Sequence, residues 1–258
     1  MTRIGLALGG GGVRGVAHIA YIKALEEMGI KPSVISGTSS GAIAGALYAG
    51  GLSPDEIMDR LHSLFSLRGK KRVPGGRPGL KSAGFAASAA QRSLAHLLPK
   101  AKFEELEIPL KVVATNFHTL RERVFETGEL LPAVMASVAL PSAFVPYQVD
   151  GEYYVDGGAT NIVPFDIIRD ACDVLIAIDV SLVRPNQLKP TLKNASHATW
   201  AATQEAYIGE KLKSFPVDVF ERPTFDNIST MEFFKYKKVY DQACTFVPDF
   251  IEKLKKLI

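Results

Sequence analysis

The chain lacks the features that mark several protein classes. Its 258 residues contain only two cysteines, too few for a disulfide scaffold and typical of a reducing compartment. The 30 basic and 27 acidic residues nearly balance, whereas a nucleic-acid-binding domain normally has a clear excess of Lys and Arg. Glycine and proline occur at ordinary levels, which argues against a disordered or collagen-like chain. We therefore expect a globular protein with no nucleic-acid partner.

Long apolar runs are missing as well. The longest, such as Ile4–Leu8 and Val174–Ile178, have the length of a strand and fall far short of the roughly 20 residues of a membrane-spanning helix. The first residues are basic and then apolar, but Arg14 and a run of glycines interrupt the apolar stretch that a signal peptide needs. The sequence therefore predicts a cytoplasmic protein.

The order of elements along the chain predicts a parallel sheet. Ile4–Leu8 has the pattern of a strand, Val16–Met28 of a helix, 33–36 of a second strand and Ala42–Ala49 of a second helix. Such a β-α-β-α order gives parallel strands joined by right-handed crossovers. Later, Val174–Val180 is apolar except for one Asp, as expected of a central parallel strand. We expect residues 1–258 to form one α/β domain, a three-layer α/β/α fold with a largely parallel sheet.

Residues 60–102 differ from the rest of the chain. They include ten basic residues and no Asp or Glu, and glycines and prolines interrupt them. One interpretation is a solvated insertion without a role in the function. The other is a basic flap near the functional site that attracts an anionic surface, an interpretation that the leucines among the charges favour. The sequence leaves both open.

A glycine-rich loop, Gly9–Gly15, lies between the first predicted strand and helix. Consecutive glycines let the backbone approach a ligand closely, and N–H groups beside a helix N-terminus bind negative charge. Gly10, Gly12 and Gly15 also fit the dinucleotide-binding fingerprint. That site needs an acidic residue at the end of the second strand, and none is present there. A dinucleotide site is therefore the weaker interpretation.

The second strand runs into Gly37-Thr38-Ser39-Ser40-Gly41, a G-x-S-x-G sequence followed by a helix. In this context the pattern predicts a nucleophile elbow, a sharp turn that exposes a serine Oγ at a helix N-terminus. Gly37 and Gly41 would give the Ser39 backbone room on both sides. The alternative is a glycine-rich turn of purely structural purpose, since the bare pattern is short.

An activated serine needs a base, and the sequence offers two candidates. Asp156 follows a predicted strand and precedes Gly157 and Gly158, so it could point into a cleft, although Asp-Gly turns are also common structural features. The order Ser39, Asp156, His197 would also allow a conventional triad, with His197 among small and polar residues. His18, one turn into the helix after the glycine loop, is the other histidine of interest.

GGGGVRG, GTSSG and DGG, in this order, resemble the patatin-like phospholipase family, as does the segment Ala136–Pro146. The resemblance covers roughly residues 4–180. It implies a Ser–Asp dyad without histidine, with Ser39 as nucleophile and Asp156 as proton acceptor. It also implies an oxyanion hole at the glycine loop, formed by Gly10, Gly11 and Gly12. The residues that support these motifs are Arg14, Gly15, Gly37, Gly41, Gly157 and Gly158.

The resemblance predicts a serine acyl hydrolase that cleaves lipid esters, of the phospholipase A, lysophospholipase or esterase type. We expect no cofactor, and because the sequence shows no cluster of metal ligands, we expect calcium-independent activity. The expected partners are a lipid or ester substrate and an anionic inner membrane surface, contacted peripherally through 60–102. Three alternatives remain: an esterase with a Ser39–Asp156–His197 triad, a non-catalytic lipid-binding or regulatory protein, and a dinucleotide-binding protein.

Overall fold

The computed structural model describes residues 2–69, 91–141, 143–182 and 191–258. Within them, eight strands form one sheet. In chain order the strands are β1 (Ile4–Leu8), β2 (Val34–Thr38), β3 (Leu110–Asn116), β4 (Glu122–Phe125), β5 (Tyr147–Val149), β6 (Glu152–Asp156), β7 (Val174–Ile178) and β8 (Val219–Glu221).

Helices connect and cover these strands. The helices are α1 (Ala17–Glu27), α2 (Ser40–Ala49), α3 (Pro54–Gly69), α4 (91–97), α5 (Leu130–Ser137), α6 (Leu192–Ser214), α7 (Tyr236–Cys244) and α8 (Val247–Lys255). Of the helices in the described ranges, none has the length and apolar character needed to cross a membrane. The basic region is partly built into this framework, because 60–69 belong to α3 and 91–97 to α4. Residues 70–90 lie outside the described residues.

The sheet confirms the predicted architecture. Its strand order is β5-β6-β3-β2-β1-β7-β8, and β4 also pairs with β3. The five strands from β3 to β8 in this order are parallel, whereas β4, β5 and β6 are antiparallel additions at one side. Every residue of β1, β2 and β7 is buried, as expected for strands covered on both faces.

Side chains of β1 show how the two faces are covered. Leu6 and Leu8 pack in one apolar cluster with Ile19 of α1, whereas Ala7 belongs to a second cluster with Ile208 of α6. Alternate residues of a strand point to opposite faces, so these clusters are the two sides of a three-layer α/β/α fold. The chain therefore buries apolar surface on both faces of one sheet.

The sheet brings the predicted motifs to one edge. The glycine loop follows β1, Ser39 follows β2, and Asp156 ends β6 directly opposite Ala114 of β3. We call this side of the sheet the carboxyl edge, because β1, β2 and β3 all end there. In open α/β sheets ligands bind outside the carboxyl ends of the strands.

Candidate functional site

Ser39 lies in a strained turn between β2 and α2. Its φ is 53° and its ψ is −118°, a conformation that costs a non-glycine residue about 1–3 kcal/mol. Close packing holds it there. A Cβ on Gly41 would lie 2.0 Å from the carbonyl oxygen of Leu8, and one on Gly37 would lie 2.6 Å from that of Gly41. The Ser39 amide donates a 2.8 Å hydrogen bond to the Ser137 hydroxyl of α5. Two glycines and one serine thus fix the turn.

Asp156 is buried at the end of β6, with 3% of its surface exposed. The Asp156 amide donates to the carbonyl oxygen of Ala139 at 3.0 Å. The carbonyl oxygen of Asp156 accepts a 3.1 Å hydrogen bond from the Thr115 hydroxyl. Its carboxylate oxygen Oδ1 accepts a 2.8 Å hydrogen bond from the Gly158 amide. The backbone on both sides is therefore fixed, and the carboxyl group has a defined direction.

The charge state of Asp156 reflects opposing effects. Burial raises the pKa of its carboxyl group to about 6, while hydrogen bonds with the Ser39 side chain and the Gly158 amide lower it. Ser39 and Asp156, predicted from separate motifs, thus lie next to each other at the carboxyl edge, close enough for the Ser39 side chain to lower the pKa of the Asp156 carboxyl group. A carboxylate with a pKa just below neutral pH is ionised at pH 7 and is basic enough to accept a proton.

Gly157 and Gly158 have no room for side chains. A Cβ on Gly157 would lie 2.2 Å from the carbonyl oxygen of Val113. A Cβ on Gly158 would lie 2.7 Å from Ile162 Cδ1 and 3.0 Å from the carboxylate of Asp156. Both glycines are therefore required for the chain to turn this closely behind the carboxyl group.

In the glycine loop, the structure corrects the role expected of Gly10. Its amide donates a 2.9 Å hydrogen bond to the carbonyl oxygen of Ile162, so this N–H group is not free to bind an oxyanion. A Cβ on Gly10 would lie 3.2 Å from the Cβ of Ser39 and 2.8 Å from Ile162 Cδ1. Gly10 therefore matters because it has no side chain, which leaves room for Ser39 beside it.

Gly11 and Gly12 differ from Gly10 in their amides. Within the described ranges neither N–H group has a hydrogen-bond partner, and Gly12 lines the same cavity as Ser39. Gly12 has a φ of 61°, and a Cβ there would lie 2.2 Å from the carbonyl oxygen of Thr230. A Cβ on Gly11 would lie 2.8 Å from the carbonyl oxygen of Val180. These two amides are the donors that the loop can offer to an anion.

Arg14 and Gly15 support the loop from behind. The buried Arg14 guanidinium donates to the carbonyl oxygens of Ile228, at 2.8 and 3.2 Å, and of Leu182, at 2.9 Å. Burial lowers the pKa of this group below its ordinary value. A Cβ on Gly15 would lie 2.4 Å from the Ser40 hydroxyl, which brings the starts of α1 and α2 together. Arg14 thus holds the glycine loop against the backbone at Leu182 and Ile228.

Two histidines were of interest in the sequence. His18 is fully buried, and its Nε2 lies 2.8 Å from the carbonyl oxygen of Gly9. Burial lowers its pKa to about 4, so at neutral pH the ring is uncharged and donates from Nε2 to the glycine loop. The side chain of His197 lies outside the described residues. Three residues further along α6, the Trp200 ring is within 3.6 Å of a Cβ built on Gly158.

A buried polar cluster positions the segment after Asp156. Lys211 of α6 donates to Asn161 Oδ1 at 2.6 Å and to the carbonyl oxygen of Val163 at 3.0 Å, and it pairs with Asp166. The Thr38 hydroxyl, next to Ser39, donates to the carbonyl oxygen of Asn161 at 2.7 Å. No sequence pattern marks Lys211, because its partners lie about fifty residues away along the chain. The cluster thus connects the segment after Asp156 to the end of β2, next to Ser39.

An apolar cavity of about 170 Å³ opens at Ser39. Its walls come from α1, α2, α3, α4 and the chain near residue 230. They include Val16, Ile19, Ile43, Leu47, Ile57, Leu61, Leu64, Leu94, Leu97, Met231 and Phe233. Sequence reasoning missed this cavity, although the i, i+4, i+7 spacing of Ile57, Leu61 and Leu64 marks one apolar helix face. The described residues contain no group of three His, Cys, Asp or Glu side chains that could hold a metal ion.

Comparison with known proteins gives both sequence and structural relatives. The chain is 28% identical over 289 residues to Lysophospholipase nte1 of Aspergillus fumigatus, covering 98% of this chain and 18% of that protein. It is 31% identical over 270 residues to the human Patatin-like phospholipase domain-containing protein 6, covering 92% and 19%. The chain thus spans less than a fifth of the length of either relative. The crystal structure of VipD from Legionella pneumophila aligns with a TM-score of 0.49 at 15% identity, covering 96% of this chain and 67% of that one.

The family comparison covers the motifs themselves. The family model described as Patatin-like phospholipase matches residues 6–169. This range is more than half of the chain, and it includes the glycine loop, Ser39 and Asp156. The resemblance inferred from the three motifs is therefore confirmed: the chain belongs to the patatin-like phospholipase family.

Proposed function

We propose that the chain is a serine hydrolase that cleaves carboxylic esters of lipids, with Ser39 as nucleophile and Asp156 as base. One observation carries the proposal: the strained Ser39 lies beside a buried carboxyl group, whose pKa its side chain lowers, at the opening of an apolar cavity. A structural glycine turn needs neither the carboxylate nor the cavity. A site that only binds lipid needs the cavity but not the strained serine.

In the first step the ester carbonyl carbon lies next to Ser39 Oγ. Asp156 accepts the hydroxyl proton as Oγ attacks, and a tetrahedral intermediate forms with its negative charge on the former carbonyl oxygen. The free amides of Gly11 and Gly12 are the proposed donors to this oxyanion. Loss of one such donor typically costs about 3–4 kcal/mol of transition-state stabilisation. Asp156 then returns the proton to the departing alcohol, and the acyl group stays on Ser39.

Water completes the reaction. Asp156, ionised again, takes a proton from a water molecule that attacks the acyl-serine carbonyl carbon, and the second tetrahedral intermediate uses the same donors. Its collapse gives the free acid and returns the proton to Ser39. The neutral His18 plays no part in this scheme, because its Nε2 is occupied by Gly9 and it is buried.

The cavity supports a substrate with an acyl chain. Its walls are apolar over a volume of about 170 Å³, and they begin at Ser39. We therefore propose a lipid ester whose acyl chain lies in this cavity. Among such esters we propose a lysophospholipid or another single-chain ester, which agrees with the lysophospholipase names of relatives.

A Ser39–Asp156–His197 triad is the second candidate mechanism. The observation that favours it is the contact between α6 and the Asp156 turn, since Trp200 lies beside Gly158 and His197 precedes Trp200 by less than one helical turn. The two mechanisms differ in one variant. The dyad predicts near-normal turnover of a soluble ester for His197→Ala, whereas the triad predicts loss of turnover.

A fluorophosphonate probe tests the proposed nucleophile directly. Intact-mass measurements should show one adduct on the wild type, none on Ser39→Ala and much slower labelling of Asp156→Asn. Ser229→Ala, at an exposed serine close to the site, is the matched control and should label like the wild type. The absence of an adduct on folded wild-type protein, or an adduct that persists in Ser39→Ala, would contradict the proposal.

A further inference from the structure

We propose that the carboxyl edge of the sheet docks onto an anionic lipid surface through two exposed apolar groups at that edge. The first group is the tip of the β3–β4 turn, residues 117–120. The second is Phe234, directly after the residues that line the cavity. The inference rests on the proposed function, because a docked lipid surface matters to this site only if the substrate is a lipid that enters the cavity from that surface.

The β3–β4 turn projects beyond the site. Asp156 is opposite Ala114, and Asn116 is opposite Tyr154, so β3 continues two residues past the base before the turn begins. At about 3.3 Å per residue, the turn starts about 7 Å beyond Asp156 along the strand. The turn therefore reaches outward at the same edge as Ser39.

The tip of this turn is ordered and strained. Asn116 Oδ1 accepts hydrogen bonds from the amides of His118 and Thr119, at 3.0 and 2.9 Å. Leu120 follows with a φ of 57°, and 75% of its surface is exposed. Glycine or asparagine would adopt this φ at lower cost, and a polar side chain would suit water better. An apolar residue that meets neither preference indicates a partner for its side chain.

Other apolar side chains extend this tip. Phe117 is exposed, and its amide donates a 2.8 Å hydrogen bond to the carbonyl oxygen of Tyr153, whose side chain is also exposed. The His118 ring lies between the two aromatic rings, with centroids 5.3 Å from that of Phe117 and 6.1 Å from that of Tyr153. The tip therefore presents a continuous apolar and aromatic surface.

The second group lies beside the glycine loop. The carbonyl oxygen of Thr230 accepts a 2.8 Å hydrogen bond from the Val13 amide, which places this segment over the glycine loop. Met231 and Phe233 line the cavity, and Phe234 follows with 72% of its surface exposed. An acyl chain that leaves a lipid surface at Phe234 would thus meet apolar side chains all the way to Ser39.

Basic residues outnumber acidic ones next to these groups. Arg121 and Arg123 follow the tip of the turn with Glu122 between them, and Lys237 and Lys238 follow Phe234, all exposed. Apolar side chains flanked by Arg and Lys fit the boundary between anionic head groups and acyl chains. The charge pattern and the continuity with the cavity select a lipid surface over a protein partner. These residues are separate from 60–102.

Sedimentation with sucrose-loaded vesicles tests this docking surface. The vesicles contain phosphatidylcholine and phosphatidylglycerol in equal amounts, or phosphatidylcholine alone. We expect Leu120→Asn and Phe234→Asn each to weaken vesicle binding about tenfold, the effect of losing one buried large apolar side chain. Hydrolysis of a soluble short-chain ester should stay unchanged, and because asparagine tolerates the φ of Leu120, the melting temperature of that variant should not fall.

Phe215→Asn is the matched control. Phe215 is 38% exposed but precedes β8, so it lies at the opposite edge of the sheet, and its replacement should leave vesicle binding unchanged. Three results would overturn the inference. Leu120→Asn and Phe234→Asn could both bind vesicles as tightly as the wild type, or Phe215→Asn could lose as much binding as they do. The third result is wild-type protein that binds equally well to vesicles with and without phosphatidylglycerol. If the wild type hydrolyses no soluble ester, the proposed function fails, while the vesicle comparison still decides whether this edge docks on lipid.

Discussion

Asp156→Asn should abolish ester hydrolysis and at the same time make the protein more stable at neutral pH. Burial raises the pKa of the Asp156 carboxyl group from 3.8 to about 6. The folded protein therefore binds this proton more tightly than the unfolded chain does. The difference of about two pKa units corresponds to about 3 kcal/mol, at about 1.4 kcal/mol per unit. At pH 7 this free energy is the cost of keeping the carboxylate ionised in the folded protein.

The sign of the pH dependence follows from the raised pKa. Below pH 3.8 both states are protonated, and the favourable contribution of the neutral carboxyl group is fully present. It is lost as the pH rises towards about 6 and is absent above that value. Asparagine has no charge to bury, and its oxygen can still accept the hydrogen bond of the Gly158 amide. The free energy of unfolding of the variant should thus exceed that of the wild type by up to about 3 kcal/mol at pH 7 and by little at pH 4.

Urea unfolding of both proteins at pH 4 and pH 7 measures this difference. Asp173→Asn is a control of opposite sign, because the hydrogen bond with Arg3 lowers the pKa of Asp173 to about 2. Its carboxylate stabilises the folded state above pH 3.8 and loses this effect only as the pH falls towards about 2, so its replacement should destabilise the protein at pH 7 and nearly as much at pH 4. If Asp156→Asn is less stable than the wild type at pH 7, or if its effect does not change with pH, the assignment of Asp156 as a buried ionised base is wrong.

Three further predictions concern the site. Asp156 must be ionised to accept a proton, so kcat/KM for a soluble ester should fall about tenfold per pH unit below the Asp156 pKa of about 6 and level off above it. A flat pH profile would exclude Asp156 as the base. Gly10→Ala places a methyl group 3.2 Å from the Ser39 Cβ, so kcat should fall while circular dichroism stays native, and unchanged kcat would contradict the packing. Ala44→Leu adds volume to the cavity wall and should lower kcat/KM for long-chain but not short-chain esters; equal loss for both would refute the acyl-chain role.

The residues that carry local signals were predictable from the sequence. The strand–glycine loop–helix order and the apolar runs identified the parallel sheet, because these patterns depend on neighbouring residues. GTSSG identified the turn at Ser39 for the same reason. Family resemblance, rather than physical reasoning alone, joined Ser39 to Asp156, since an Asp-Gly-Gly sequence at a strand end is common in ordinary turns.

The rest depends on contacts between distant parts of the chain. The amide of Gly10 looked like an oxyanion donor until the structure placed the carbonyl oxygen of Ile162 within 2.9 Å of it. Residues 60–69, expected in an insertion or a flap, are part of α3, and Leu61 lines the cavity. Neither outcome follows from sequence spacing, because a hydrogen-bond acceptor or a cavity wall supplied by another segment leaves no periodic pattern.

The glycine loop also bears on how small a working fragment of this chain can be. Its hydrogen bonds reach forward to Ile162, Ile228 and Thr230, and the last two lie beyond residue 169, where the family match ends. A fragment cut after β7 would keep Ser39, Asp156 and every glycine of the motifs. It would lose the acceptors that hold Val13 and Arg14, and with them the part of the cavity wall formed by Phe233. Shortened versions made for expression or engineering therefore need the chain through α7, even though the motifs end at Gly158.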